Sequence, residues 1–214
     1  MIKVLLVDDH ELVRTGVRFL LKDAENIEVV GEAKSGEEAI QVAREFLPDV
    51  VLMDLNMPGM GGFEAIMRLL RSKPAPKILI LSAYTSGLVP LRLLNLGASG
   101  YLSKHSNREE MIQAIQTVNA GERYIDLSMV ETIASVHVAL QNNPPPVGRL
   151  AERELQILIM MANGMKRNDI AKSLYLSKKT ISGYLVSALK KLGASTEAEA
   201  VRLVIESGLV DIDN

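Results

Sequence analysis

The amino-terminal half of this chain alternates short apolar runs with stretches of helical periodicity, and few folds accommodate that order. The runs are Ile2–Val7, Ile27–Val30, Val50–Met53, Ile78–Leu81 and Tyr101–Leu102. Several are nearly continuous and rich in Val and Ile, as expected of parallel strands covered on both faces. Between and after them, Leu12–Leu21, Gly36–Phe46, Phe63–Arg71, Val89–Leu96 and Arg108–Ala120 read as helices. In the last, Met111, Ile112, Ile115 and Val118 mark one face. Repeated strand–helix units of this kind build a doubly wound α/β domain, here on a five-stranded parallel sheet.

The pattern changes after Gly121. Asp126 is placed to cap a helix through about Gln141. Asn142-Asn143-Pro144-Pro145-Pro146 then breaks it, because proline lacks an amide donor and clashes inside a helix. We therefore expect a first domain over residues 1–122, a linker over 123–148 and a second domain over 149–214. The second domain reads as four short helices. Their apolar stripes are Leu155, Leu158, Ile159 and Ala162; Ile170, Ala171 and Leu174; Ile181, Leu185, Ala188, Leu189 and Leu192; and Val201, Val204 and Ile205. Gly164, Gly193 and Gly208 follow three of the stripes, the usual helix-exit chemistry. The exception is the tight turn around Tyr175-Leu176-Ser177. Such an order gives an all-α helix-turn-helix unit plus one further helix.

Charge separates the two halves. Residues 1–125 carry 14 Lys+Arg against 16 Asp+Glu, whereas residues 149–192 carry 9 against 3, a net +6. A basic block on a mildly acidic chain fits a local nucleic-acid surface. The absence of cysteine excludes disulfides, thiolate metal sites and a catalytic thiol. The first apolar run stops at Asp8-Asp9, too short for a signal-peptide core, and no uncharged apolar stretch of about 18 residues follows. We expect a cytoplasmic protein without membrane association. His10, His105 and His137 lack metal-ligand spacing.

Carboxylates stand where such a sheet places its ligands. Asp8-Asp9 follow the first strand and Asp54 the third, and open parallel sheets bind beyond the carboxyl ends of their strands, near the switch in strand order. If those strands are neighbours, three carboxylates converge and need a hard cation; Mg²⁺ suits one or two carboxylates, a carbonyl and retained waters. Ser82 ends the fourth strand and Lys104 the fifth, a hydroxyl and an ammonium that can grip phosphoryl oxygens. Pro58 and Gly59–Gly62 let backbone approach the site; the glycine spacing is not that of a dinucleotide fingerprint. An aspartyl-phosphate hydrolase also puts Asp after a strand, but wants a second carboxylate two residues on, where this chain has Asn56. We expect no enzyme of that type.

In the second domain Ser177 can cap the helix that begins Lys178-Lys179-Thr180. With Ile181, Leu185, Ala188 and Leu189 facing inward, Lys179, Ser182, Gly183, Val186 and Lys190 project outward. A helix entering the major groove would turn such a face to base edges and its lysines to phosphates. A protein-docking output module is the alternative, disfavoured by the +6 charge.

The set Val7-Asp8-Asp9-His10, Met53-Asp54-Leu55-Asn56-Met57-Pro58-Gly59-Met60-Gly61-Gly62, Leu81-Ser82-Ala83 and Gly100-Tyr101-Leu102-Ser103-Lys104 resembles the receiver domain of bacterial response regulators. That resemblance implies a flavodoxin-like receiver in which Asp54 accepts a phosphoryl group from a sensor histidine kinase. It implies that Asp9, Asp54 and the Asn56 carbonyl hold Mg²⁺, Asp8 assisting through water. Ser82 would move toward the phosphate, Tyr101 would be the aromatic switch, and Tyr84 would shield the acyl phosphate. The family often has proline soon after the lysine; here His105-Ser106-Asn107 follow.

Leu150-Ala151-Glu152-Arg153-Glu154, Asn168-Asp169-Ile170-Ala171, Leu176 to Ile181 and Lys191-Leu192-Gly193-Ala194 resemble the effector domain of the NarL/FixJ (LuxR-type) family. Arg123-Tyr124-Ile125, Leu91–Leu94, Tyr184 and Ser207 to Asp211 are most similar to its GacA/UvrY subgroup. Together the resemblances imply a phosphorylation-activated transcriptional regulator that binds promoter double-stranded DNA as a homodimer. Lys178, Lys179 and Lys190 would supply phosphate contacts, Thr180 would also meet the DNA, and Ser182, Gly183 and Val186 would face the bases; Ala198 and Val201 are candidates for partner contact. Four positions depart from the family. Ala151 replaces a capping Ser or Thr, a loss of about 1 kcal/mol; Ser182 and Gly183 stand where bulkier or basic residues are common, and Leu185 where arginine is common in the subgroup.

Overall fold

The computed structural model describes the chain except residues 56, 58–59, 83–87, 128, 131–133, 135–145 and 208–214. It divides into two compact units, whose main sequence boundary follows Val130.

The first unit is built on β1 (Ile2–Val7), β2 (Ile27–Ala33), β3 (Val50–Met53), β4 (Lys77–Ser82), β5 (Gly100–Ser103) and β6 (Tyr124–Ile125). Its helices are α1 (Glu11–Leu21), α2 (Gly36–Phe46), α3 (Gly61–Leu69), α4 (Leu88–Leu96) and α5 (Arg108–Asn119). The strand order is β2-β1-β3-β4-β5-β6, with every neighbouring pair parallel. Val4 to Val7, all of β3 and Ile78 to Leu81 are buried, as their continuous apolar sequence requires of strands covered on both faces. Removing each such Val, Leu or Ile from water contributes about 1.5–3 kcal/mol.

The sheet has six strands, not the expected five. The sixth comes from the stretch read as linker. Two residues give no periodic signal, and the cause of the pairing lies elsewhere: a Cβ at Gly100 would sit 2.6 Å from the Tyr124 carbonyl oxygen. Glycine on β5 leaves room for β6. Asp126 directly precedes helical Leu127, Met129 and Val130, the position expected of a cap. Its carboxylate accepts from the Ser103 amide (3.3 Å) and the Ser106 hydroxyl (3.0 Å), tying the β5–α5 loop to the segment after β6. Most of the helix expected through Gln141 lies outside the described residues. Past His105 and Ser106, Asn107 and Glu110 cap α5 reciprocally, at 2.9 Å in both directions.

The second unit follows a 3-10 turn (Pro146–Arg149) with α6 (Glu152–Ala162), α7 (Arg167–Ser173), α8 (Lys178–Leu192) and α9 (Glu197–Glu206). The expected stripes lie inward only in part. Residues 154–158 of α6 are all buried, Ile157 completely, because α6 packs against both α8 and α9. Ile159, Ala162, Leu189, Val201 and Ile205, expected on the stripes, are only half-buried. Helix exits follow the sequence signals: Gly164 and Gly193 have φ of +79° and +67°. Ser177 caps α8 by accepting from the Thr180 amide at 3.0 Å.

Candidate functional site

The strand order makes β1 and β3 neighbours, in register Val7 to Met53. The ladder runs one residue further: the Asp54 amide donates to Val7 O (2.8 Å), and the Asp8 amide to Ala33 O (3.1 Å). Both aspartates are thereby fixed at the carboxyl edge, 3% and 2% exposed for Asp8 and Asp54. On the other side Ser82 pairs with Ser103, and the Lys104 amide donates to Ser82 O at 2.9 Å. The ammonium of Lys104 lies 2.7 Å from Asp8 Oδ2 and 3.0 Å from Asp54 Oδ2. Residues far apart in sequence thus meet at one rim because four parallel strands end there.

Burial by itself would lower the pKa of Lys104. The Asp54 charge, hydrogen bonds to Asp8 and Asp54, and the Asp8 charge together outweigh it and hold the ammonium above the usual lysine value. Asp8, Asp9, His10 and Asp54 each offer a ligand atom, all within 4.8 Å of one another. The carboxylates are hard oxygen donors, which fit a small divalent cation such as Mg²⁺. Tyr101 is fully buried on β5. Asn56, Tyr84, Pro58 and Gly59 lie outside the described residues. Gly62 serves the backbone approach expected of the glycine run: a Cβ there would lie 2.0 Å from the Asp54 carbonyl oxygen.

Two participants escaped the sequence reading. Arg14 donates Nη1 to the Asp8 carbonyl (2.7 Å) and Nε to Glu32 Oε2 (3.2 Å), clamping the loop that carries Asp8 and Asp9. Its partners are non-local, so only its place one turn into α1 hints at the role. His10 lies with Nδ1 3.2 Å from Asp8 Oδ1 and 3.0 Å from Asp9 Oδ1. Its aspartate partners are its sequence neighbours, and the fold adds only Asp54 to the cluster.

On α8, Ile181, Leu185, Ala188 and Leu192 are buried, while Lys178, Lys179, Thr180, Ser182, Gly183, Val186 and Lys190 are exposed. Val186, 68% exposed, is an apolar side chain that the domain core does not use. Ser182 donates its hydroxyl proton to Lys178 O at 3.0 Å, leaving its oxygen as an acceptor. Other cations of the basic block are engaged in packing: Arg167 pairs with Glu197, and Lys191 with buried Glu154 at 2.8 Å. On α8 the exposed lysines stand at the two ends of the helix, and Lys166 and Lys172 are exposed before it.

The model of the response regulator receiver domain matches residues 4–116, and that of bacterial regulatory proteins of the luxR family matches residues 149–204. The chain is 44% identical over 211 residues to the response regulator GacA of Pseudomonas aeruginosa, covering 99% of each. It is 42% identical over 213 residues to the response regulator UvrY of Escherichia coli K12, covering 100% of this chain and 98% of the relative. Among solved structures it is similar to the RcsB response regulator of Salmonella typhimurium, with a TM-score of 0.74, 25% identity, and coverage of 96% and 98%. A structure of an RcsB–DNA complex matches with a TM-score of 0.61 and 26% identity, over 95% and 98% of the two chains.

Proposed function

The chain belongs to the two-component response regulators that join a receiver domain to a luxR-family output domain, and from that premise we propose that Asp54 is its phosphoacceptor and α8 its DNA-reading helix. The observation that carries the first assignment is the Lys104 ammonium bridging buried Asp8 and Asp54 at the edge where Ser82 also ends. Asp8, Asp9 and Asp54, with the Asn56 carbonyl, would hold Mg²⁺. When bound, that ion offsets the negative charge that carboxylates and phosphoryl oxygens bring together.

Asp54, just past the end of β3, is the nucleophile. One of its carboxylate oxygens attacks phosphorus on the kinase phosphohistidine; the oxygen–phosphorus bond forms as the phosphorus–nitrogen bond breaks, and the histidine leaves neutral or takes a proton. Lys104 holds a phosphoryl oxygen as a point charge, Ser82 donates its hydroxyl to another, and Tyr101 follows as the inward aromatic switch.

In the output domain Lys178, Lys179, Thr180 and Lys190 meet the DNA backbone, while Ser182, Gly183 and Val186 face the bases. One such module reads few base pairs, so the phosphorylated chain acts as a homodimer on paired half-sites of promoter DNA. The division 1–122, 123–148 and 149–214 remains our assignment of receiver, linker and output domain. Among the described residues no helix is long and apolar enough to cross a membrane, and a cytoplasmic regulator is the reading we adopt.

Intact-mass spectrometry tests the acceptor. Acetyl phosphate with Mg²⁺ should add one phosphoryl group, and Asp54→Asn or chelation should abolish it. Undiminished phosphorylation of Asp54→Asn would move the acceptor elsewhere.

A further inference from the structure

The turn between α7 and α8 holds a residue that helix-ending chemistry alone does not explain. Helices α4 to α8 all close with the same pair of bonds. In α7 the Tyr175 amide donates to Lys172 O at 3.1 Å and the Leu176 amide to Ala171 O at 2.9 Å. At the equivalent position α4, α5, α6 and α8 place Gly97, Gly121, Gly164 and Gly193, all at positive φ. Only α7 places a side chain there, Tyr175 with φ +55°. In that left-handed conformation Cβ crowds the following carbonyl, a strain glycine avoids. Tyr175 is 83% exposed, so most of its ring lies outside the core of the domain.

The surroundings give the side chain a use. Tyr175 borders an open cleft of about 740 Å³ that also presents Asn168, Lys172, Ser177 and Lys178. Lys172 is 83% exposed, with Asp169 Oδ1 at 3.9 Å, and no carboxylate lines the cleft itself. Ser177 and Lys178 open α8, so the cleft adjoins the first turn of the helix whose outer face carries Lys179, Ser182 and Gly183.

We propose that this cleft is an additional contact for duplex DNA, in which Tyr175, flanked by Lys172 and Lys178, holds the phosphodiester backbone beside the bases that α8 reads. The phenol hydroxyl donates to a phosphate oxygen and the ring covers the adjoining sugar. The two ammonium groups supply charge, and the rigid aromatic sets how deep the first turn of α8 sits. The proposal rests on the reading of α8 as the DNA-reading helix.

The test uses the full-length chain and a mixed-sequence duplex of about 30 base pairs at low salt, followed by fluorescence anisotropy, with melting curves for every variant. Tyr175→Gly and Tyr175→Asn, which tolerate positive φ, should melt at or above the wild-type temperature yet bind about 5–10-fold more weakly. Tyr175→Phe should lose about 2–3-fold, reporting the hydroxyl. Lys172→Ala should flatten the slope of log affinity against log salt by about one contact, which Tyr175→Gly should not. Lys179→Ala on α8 serves as the control. Wild-type affinity in Tyr175→Gly and Tyr175→Asn alongside weakened Lys179→Ala would overturn the cleft contact and leave the α8 reading standing. Wild-type affinity in Lys179→Ala as well would overturn both.

Discussion

Lys104 was legible in the sequence as a lysine at a strand end, but its setting was not. A rim lysine contributes little to stability; this one is 18% exposed and bridges two buried carboxylates. Removing it leaves anions facing each other, so Lys104→Met should cost about 1–3 kcal/mol in urea unfolding without Mg²⁺, and less with it. Equal losses with and without Mg²⁺ would disconnect the lysine from the cation site. Its pKa is raised on folding, so this stabilisation is fully present below the ordinary value of 10.5 and is lost only as pH climbs through the higher folded value. Gly183 behaves in the opposite way. A Cβ there would meet nothing within 4 Å, so Gly183→Ala should raise stability by about 0.5–1 kcal/mol. If that face meets DNA, affinity should fall nonetheless; a more stable variant with unchanged affinity would take Gly183 off the interface. Residue identity thus placed the carboxylates and lysines at strand ends. Arg14 went unrecognised because folding brings Glu32 to it, whereas His10 stands beside its aspartate partners in the sequence but follows no metal-ligand spacing.

Among the elements, α6 shows how a lost local signal is replaced. Ala151 has no side-chain oxygen to cap the helix, but its amide donates to Glu154 Oε2 at 2.6 Å. The same buried carboxylate accepts from Ser187 Oγ at 2.6 Å and from Lys191 at 2.8 and 2.9 Å, joining α6 to α8. Burial would raise the Glu154 pKa; Lys191, Ser187 and the Ala151 amide more than reverse that and hold it below the ordinary 4.5. A lowered folded pKa gives stability that is present above the ordinary value and disappears as pH falls through the folded one. Acid unfolding of the output domain should therefore set in below about pH 4.5, and Glu154→Ala should cost about 2–3 kcal/mol at neutral pH and much less in acid, by circular dichroism. A pH-independent difference would exclude the ion pair as the cause. The periodic stripes found the helices, and glycines found their ends, because both signals are local. The unbroken burial of residues 154–158 in α6 and the pairing of β6 were not legible, since each depends on what another element leaves open, Gly100 above all.

At the scale of the whole molecule, the proposed function couples an acidic phosphoacceptor rim to a basic reading helix through a switch in assembly. Ala198 is exposed on α9 and Val201 half-buried, so Ala198→Glu should keep the phosphorylated chain monomeric in sedimentation while Asp54 still accepts phosphate, by like-charge repulsion across the two-fold axis. A phosphorylated Ala198→Glu dimer would place the interface elsewhere. The central claim is that chemistry at Asp54 controls DNA affinity. Its most direct test is anisotropy of full-length wild type and Asp54→Asn on one selected duplex at fixed salt, each with Mg²⁺ and with or without acetyl phosphate. The account predicts at least about a tenfold gain for the wild type, equivalent to about 1.4 kcal/mol, and none for Asp54→Asn. Equal affinities for phosphorylated and unphosphorylated wild type, or the same gain in Asp54→Asn, would contradict it.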